Sequence, residues 1–202
     1  MKIRDVTHFF EELDKRVSFP MTVILTGGAA AALFGKSRAT QDIDFEVHFR
    51  VRKKESSDAW EEFKRHLNEV AVRTKIIPQY SENIDRWSLI ALPKKTSRLF
   101  RKAGKIEIRL LDPGLWAIGK LTRFLPVDVR DLCAVLSKTK PNPQKLARLW
   151  GQALRESPPS PAQGQFRRQV EQFFSQNARQ IWGRWASPEK LIALFLSSAR
   201  LK

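Results

Sequence analysis

The chain contains 202 residues, of which 42% are hydrophobic and 10% are aromatic, and its formal net charge is +16. This composition predicts a globular protein and excludes a disordered one. The length allows one domain, or one domain with an attached helical module. The single cysteine, Cys133, excludes an internal disulfide and a cysteine-based metal cage, and we expect it at a buried helix position.

The N-terminal residues are charged and amphipathic, and no apolar run approaches the length that spans a membrane. We therefore expect a cytoplasmic protein without a membrane partner. The three histidines are scattered without ligand spacing, so we do not expect a histidine metal site. Residues 1–50 carry no net charge, residues 51–112 carry +6 and residues 113–202 carry +10. This excess indicates either solubility alone or a surface for a polyanion such as RNA or DNA.

The first predicted elements are a helix, a strand and a glycine turn. Residues 6–17 have apolar side chains at helical spacing, and residues 21–25 favour a strand. At Gly27 and Gly28 the missing Cβ atoms would let a phosphate approach the backbone N–H groups. A short helix over residues 29–34 adds partial positive charge at its N-terminus, so the turn is predicted to bind an anion.

The next strand carries acids at every second position. Asp42, Asp44 and Glu46 alternate with three hydrophobic residues, which puts the three carboxylates on one face of the strand. Such acids also occur on the solvent face of ordinary antiparallel strands. Behind a glycine turn, however, Asp42 and Asp44 lie about 7 Å apart and can converge on Mg²⁺ ions that neutralise bound phosphates. The turn and the acids together favour phosphoryl chemistry.

The middle of the chain alternates helix and strand signals. A capping-box-like pattern at Asp58 predicts a helix to about residue 71. Strands are predicted over residues 76–80, 87–92 and 105–111, and residues 98–104 are predicted as a basic loop or hairpin arm. Glu107 shares one face of the last strand with Arg109, a pattern that by itself is typical of an exposed sheet edge.

Two helices are predicted after that strand. Asp112 followed by proline predicts the start of the first, which carries Lys120. A lone helical lysine is usually solvated. Pro126 begins the second helix, in which Asp128 and Asp131 lie one turn apart. These two acids can cap the helix or pair with nearby arginines, or they can contact a nucleotide, and the sequence leaves the alternatives open.

The C-terminal part is predicted to be helical and basic. Helices are expected over residues 144–155, 165–182 and 188–201, with a stiff linker over residues 157–164. We predict a main domain over residues 1–140 and a basic helical region over residues 141–202. Four aromatic residues alternate with four arginines, and the aromatics form either helical core or part of an RNA-binding surface: Phe173, Phe174, Trp182, Trp185, Arg167, Arg168, Arg179 and Arg184.

Several of these motifs together resemble a family. They occur along the chain in this order: Gly27-Gly28, Arg38-x-Thr40-x-Asp42-x-Asp44, Glu107, Lys120 and Asp128-x-x-Asp131. The set is similar to the signature of the DNA polymerase beta-type nucleotidyltransferases, in particular the abortive-infection type nucleotidyltransferase toxins, and the resemblance covers residues 23–136. Many members have serine where this chain has Gly28. Either Ser37 or Thr40 would then supply the hydroxyl that contacts the triphosphate, or the nucleotide would bind differently.

The resemblance implies an α/β (α+β) fold, in which a small mixed sheet flanked by helices precedes a helical C-terminal part and carries the aspartates and Glu107 on neighbouring strands. It implies transfer of a nucleoside monophosphate from an NTP to an acceptor hydroxyl, with two Mg²⁺ ions held by Asp42, Asp44 and Glu107. The acceptor would be RNA such as tRNA, and a toxin role would add an antitoxin protein as partner. The nucleotide would be held by Gly27, Gly28, Ser37, Arg38, Thr40, Lys120 and Asp128.

Two other functional classes remain open from the sequence. A protein that kept the fold without catalysis would only bind nucleic acid, and glycine at position 28 favours that class. A module for protein partners would use its aromatic helices as a docking surface.

Overall fold

A computed structural model describes residues 2–35, 41–84 and 88–200 of the chain. It shows an α+β architecture made of two compact units. The first unit comprises the described residues up to Ile84 together with Ser97–Leu111, and the second comprises residues 88–96 and the described residues from Asp112 onward. The predicted fold class, a mixed sheet with helices and a helical C-terminal part, is confirmed.

The first unit is built on a five-stranded mixed sheet with the strand order β3-β2-β1-β5-β4. Its elements are α1 (Ile3–Asp14), β1 (Met21–Leu25), α2 (Gly27–Leu33), β2 (Asp42–Phe49), a 3-10 helix (Lys53–Glu55), α3 (Ser56–Thr74), β3 (Ile77–Ser81), β4 (Ser97–Ala103) and β5 (Ile106–Leu111). Strand β1 is antiparallel to β2 and parallel to β5. Strand β3 adds to β2 in parallel, and β4 adds to β5 as an antiparallel edge.

The alternating sequence of β2 separates a buried face from a polar one. Phe45 lies on the apolar face, where its ring packs edge-on against Phe10 of α1 at 5.5 Å and against Phe63 of α3 at 6.4 Å between ring centroids. All three side chains are fully buried. The two helices therefore cover one face of the sheet, and the predicted acids project from the other face of the same strand.

The second unit is helical. Its elements are α4 (Pro113–Arg123), α5 (Pro126–Thr139), α6 (Pro143–Glu156), α7 (Pro161–Trp182) and α8 (Pro188–Ser198). Each helix begins with proline, which has no N–H to leave unpaired in the first turn. Asp112, Asn142 and Ser187 cap three of them through side-chain oxygens. In the described part of the chain, no helix is both long and apolar enough to cross a membrane.

The boundary between the units lies near Leu111 and not at residue 140, where the sequence pattern suggested it. The reason is that α4 and α5 share a core with the later helices. The indole N–H of Trp150 on α6 donates to the Gly114 carbonyl on α4 at 3.0 Å. The thiol of Cys133, half-buried on α5, donates to the Asn177 side chain on α7 at 3.2 Å.

Three predicted segments differ from the structure. Residues 88–92 form no strand, because the N–H of Ile90 bonds to Ser88 and that of Ala91 bonds to Ser157, so neither is available to a sheet. Residue 87, the start of that predicted strand, lies outside the described residues. The predicted basic loop or arm at 98–104 is the edge strand β4. The predicted linker is shorter, since α7 already begins at Pro161.

We expect two glycine-to-alanine changes in helices to have opposite effects. A Cβ on Gly151 of α6 would lie 2.4 Å from the Phe195 carbonyl oxygen of α8, whereas a Cβ on Gly119 of α4 would meet no atom within 4 Å. Alanine raises helix propensity at both sites by about 1 kcal/mol, but overpacking at Gly151 costs roughly 1–3 kcal/mol. In urea unfolding, Gly119→Ala should raise the midpoint and Gly151→Ala should lower it. Equal midpoint shifts would contradict the close contact of α6 with α8.

Candidate functional site

The glycine turn after β1 is shaped around the Asp44 side chain. Gly27 has a φ of +57°, and a Cβ at this position would lie 1.8 Å from Oδ2 of Asp44. The backbone N–H of Gly28 donates to the same oxygen at 3.2 Å, and the Thr26 N–H donates to the Asp44 carbonyl at 2.9 Å. The glycine pair is thus needed both for the backbone conformation and for the space that the carboxylate occupies. From the sequence, the N–H groups of this turn were predicted to bind an anion. In the structure, the Gly28 N–H donates instead to the Asp44 side chain.

The acids of β2 lie on one face of the strand, as period two predicted. Asp42 and Asp44 are half-buried, and the next residue on that face, Glu46, is fully buried. The carboxylate of Glu46 accepts the Ile84 N–H at 2.8 Å and is bonded to Nε2 of His48. Glu46 is therefore committed to internal contacts, so Asp42 and Asp44 are the two acids of β2 that are partly open to solvent.

Glu107 lies on the same sheet face as the aspartates but not at their level. Strand β5 is separated from β2 by β1, so the predicted neighbouring strands are not neighbours. In the register, Glu107 pairs with Thr22, whereas Asp44 lies opposite Thr26. Four residues correspond to about 13 Å along a strand, and two strand spacings add roughly 10 Å across the sheet. The predicted convergence of Glu107 on the aspartates is not found.

Two arginines hold the Glu107 carboxylate instead. Arg50 donates to Oε2 at 2.7 Å and Arg109 donates to Oε1 at 2.6 Å, and these hydrogen bonds lower the pKa of Glu107. Arg50 also donates to the Thr22 hydroxyl, and Arg109 to the Ser97 carbonyl at 2.8 Å. This ion-paired cluster ties β1, β4, β5 and the end of β2 together. The sequence showed Glu107 and Arg109 on one face, but it gave no sign of Arg50.

Lys120 and Asp128, both predicted to contact the nucleotide, meet in a buried cluster of the second unit. The Lys120 ammonium, on a residue only 5% exposed, donates to Asp128 at 3.0 Å and to Asp131 at 3.1 Å. Arg123 donates to Asp128 at 2.7 Å. Burial raises the pKa of Asp128, but hydrogen bonds from Arg123 and Lys120 outweigh it, so the pKa lies below its ordinary value. Of the open alternatives for these acids, pairing with nearby cations is what the structure shows.

The remaining predicted nucleotide contacts, Ser37, Arg38 and Thr40, lie outside the described residues. In the part of the chain that is described, no group of three or more His, Cys, Asp or Glu side chains is arranged to hold a metal ion. Asp42 and Asp44 supply two carboxylates, and Mg²⁺ is bound in proteins through one or two carboxylates together with substrate phosphates and water.

Comparisons of the chain with protein-family models, with curated proteins and with solved structures gave no match.

We expect Lys120→Met to destabilise the protein by about 3–5 kcal/mol at neutral pH, because two buried carboxylates would lose their shared cation. The pH dependence follows from the lowered pKa of Asp128. The Asp128 carboxylate contributes fully to stability above its pKa in the unfolded chain, which is about 3.9. This contribution is lost as the pH falls through the lower pKa of Asp128 in the folded protein. The stability gap between wild type and variant should therefore close in acid.

Urea unfolding at several pH values measures this gap. Lys145→Met, at an exposed lysine of α6, is the matched control and should change stability little. A Lys120→Met protein as stable as wild type at neutral pH would show that the cluster does not stabilise the unit.

Proposed function

We propose that this protein transfers a nucleoside monophosphate from an NTP to an acceptor hydroxyl. The supporting observation is the local unit of β1, the glycine turn, α2 and β2. Its turn is built around the Asp44 carboxylate, and Asp42 lies two residues away on the same strand face. The resemblance of this unit to nucleotidyltransferase motifs points in the same direction.

Asp42 and Asp44 are the proposed ligands of Mg²⁺. When bound, this ion neutralises negative charge on the phosphates during transfer. The chain's own contribution is orientation. The N–H of Gly28 fixes one oxygen of Asp44, and the buried side chains of Ile43 and Phe45 fix the strand that carries both aspartates. Rigid elements of this kind hold a reacting group in position more closely than loops do.

The other predicted nucleotide contacts differ in their support. The Gly28 amide is already directed at Asp44, so it acts in the proposal by positioning that carboxylate. An ammonium carries three N–H donors, and two of those of Lys120 go to Asp128 and Asp131. Lys120 and Asp128 are therefore proposed to stabilise the helical unit. Contacts from Ser37, Arg38 and Thr40 remain predictions.

RNA such as tRNA is the proposed acceptor. Residues 113–202 contain fifteen Lys and Arg against five Asp and Glu, a net charge of +10. Basic side chains bind phosphates with release of counterions, which favours a nucleic acid over a neutral acceptor. A role as a toxin that is controlled by an antitoxin protein rests on the resemblance alone.

One observation favours a second candidate, a nucleic-acid-binding protein without catalysis. Glu107, the expected third acid, is held by Arg50 and Arg109 at a level of the sheet far from the aspartates. A protein that had lost the third ligand would keep the basic surface and bind RNA without transferring nucleotides.

We expect Asp42→Asn and Asp44→Asn each to lower nucleotide transfer by roughly 100-fold or more, because a lost carboxylate removes electrostatic stabilisation of the transferring group. The measurement is incorporation of labelled NTP into total tRNA with Mg²⁺, with the urea midpoint as a check that each variant is folded. Glu61→Gln, an exposed acid of α3, is the control and should transfer at the wild-type rate.

Glu107→Gln tests whether Glu107 is a third catalytic acid or only a member of the ion-paired cluster with Arg50 and Arg109. From the sheet register we expect this variant to keep transfer within a few-fold of wild type while losing stability. Loss of transfer as large as that of Asp44→Asn, in a folded Glu107→Gln protein, would contradict the separation of Glu107 from the site. Transfer by Asp42→Asn and Asp44→Asn at the wild-type rate would refute the proposed function.

A further inference from the structure

A cavity lies in the helical unit, at the turn between α7 and α8. It has a volume of about 550 Å³ and is formed by the Lys140–Pro143 segment, the end of α7 and Trp185. Cavities of this size accommodate small organic groups. Trp185 is 65% exposed, and it is the one aromatic side chain among the large exposed hydrophobic residues of the described chain; the others are aliphatic.

The cavity walls are held by hydrogen bonds and by the backbone turn. The indole N–H of Trp182, a residue that is 7% exposed, donates to the Pro141 carbonyl at 2.9 Å. Gly183 has a φ of +90°, and its N–H and carbonyl bond to Arg179 and Ala186. A Cβ on Gly183 would lie 3.5 Å from Cδ1 and Nε1 of Trp185, so the exposed indole rests against the turn. The indole of Trp185 is thus exposed but held in place by the turn, so its side chain loses less conformational entropy when a ligand stacks on it.

The charges near the cavity are mainly positive. Lys140 forms part of the wall and is exposed, and Arg184 is an exposed residue between Gly183 and Trp185. Arg179, which lies on α7 four residues before Gly183, is also exposed. The nearest acid in sequence, Glu189, accepts a hydrogen bond from the Ser187 hydroxyl at 2.7 Å. Cations beside an exposed aromatic ring suit a ligand that has both a flat apolar surface and negative charge.

We propose that the cavity at Trp185 binds an unpaired nucleobase of a single-stranded nucleic acid, with the indole stacked on the base and Lys140 and Arg184 contacting the flanking phosphates. Bases of a duplex are stacked on one another and cannot enter the cavity, whereas each unpaired base offers a π-face to an aromatic side chain. This inference locates the acceptor strand and so rests on the acceptor class of the proposed function, but it does not depend on catalysis.

The test is fluorescence anisotropy with labelled single-stranded RNA of about 12 nucleotides, within the range of known single-strand sites. Trp185→Ala should weaken binding roughly tenfold, the effect of losing one stacked base. Trp185→Phe should retain most of the affinity, because a phenyl ring still presents a π-face. Val72→Ala, which removes an exposed hydrophobic side chain of α3, is the matched control and should bind as wild type does.

Duplex RNA of the same length should bind through phosphates alone and lose little affinity in Trp185→Ala. Single-stranded DNA is the second arm. If Trp185→Ala loses affinity for both single-stranded RNA and single-stranded DNA, the indole stacks on bases whichever sugar they carry. If it loses affinity for RNA alone, the site is specific for RNA. Lys140→Gln and Arg184→Gln should each reduce the slope of log affinity against log salt by about 0.7.

Four results would overturn the inference. They are single-strand affinity unchanged in Trp185→Ala, an equal loss on duplex RNA, no single-strand binding by wild type, and a dimer that Trp185→Ala dissociates without changing RNA affinity. The last result would assign the cavity to a second copy of the chain. Trp185-dependent binding by a wild-type protein that transfers no nucleotide would refute the proposed function and leave this inference intact.

Discussion

The carboxylate of Asp44 occupies the space that a side chain on Gly27 would need, and the Gly28 N–H donates to it. This contact joins the end of β1 to β2, sets the path of the chain into α2 and fixes the orientation of one of the two proposed Mg²⁺ ligands. The apolar face of β2, packed against α1 and α3, holds the strand from the other side. A carboxylate located by a backbone turn and a buried sheet is already oriented before any substrate binds, which is the condition for electrostatic stabilisation of a transition state.

Elsewhere in the chain, carboxylates that looked available in the sequence are used to neutralise cations. Glu107 joins Arg50 and Arg109 across the sheet, and Lys120 joins Asp128 and Asp131 between two helices. A buried charge without a partner costs several kcal/mol, so such groups are strongly constrained to remain paired. The aspartates of β2 lie beside a backbone turn that fixes the orientation of Asp44, and this fixed orientation is why the proposed chemistry is placed there.

Local signals in the sequence predicted much of the fold. Period two in β2 put the acids on one face, and proline after a polar residue marked the start of several helices, as at Pro113 and Pro143. Partners distant in sequence could not be predicted in this way. The position of Glu107 depends on the pairing of β1 with β5, and an alternating pattern identifies the face of a strand but not its level in the sheet. The role of the glycine turn was likewise hidden, because it depends on a side chain sixteen residues later.

The most direct test of the proposed chemistry incubates the wild-type protein with Mg²⁺, total tRNA and NTPs labelled at either the α- or the γ-phosphate. We expect the α label to become covalently attached to RNA and the γ label to leave with pyrophosphate, because only the nucleoside monophosphate is transferred. Attachment of the γ label, or attachment of neither label by a protein that still binds RNA, would contradict a nucleotidyltransferase built around Asp42 and Asp44.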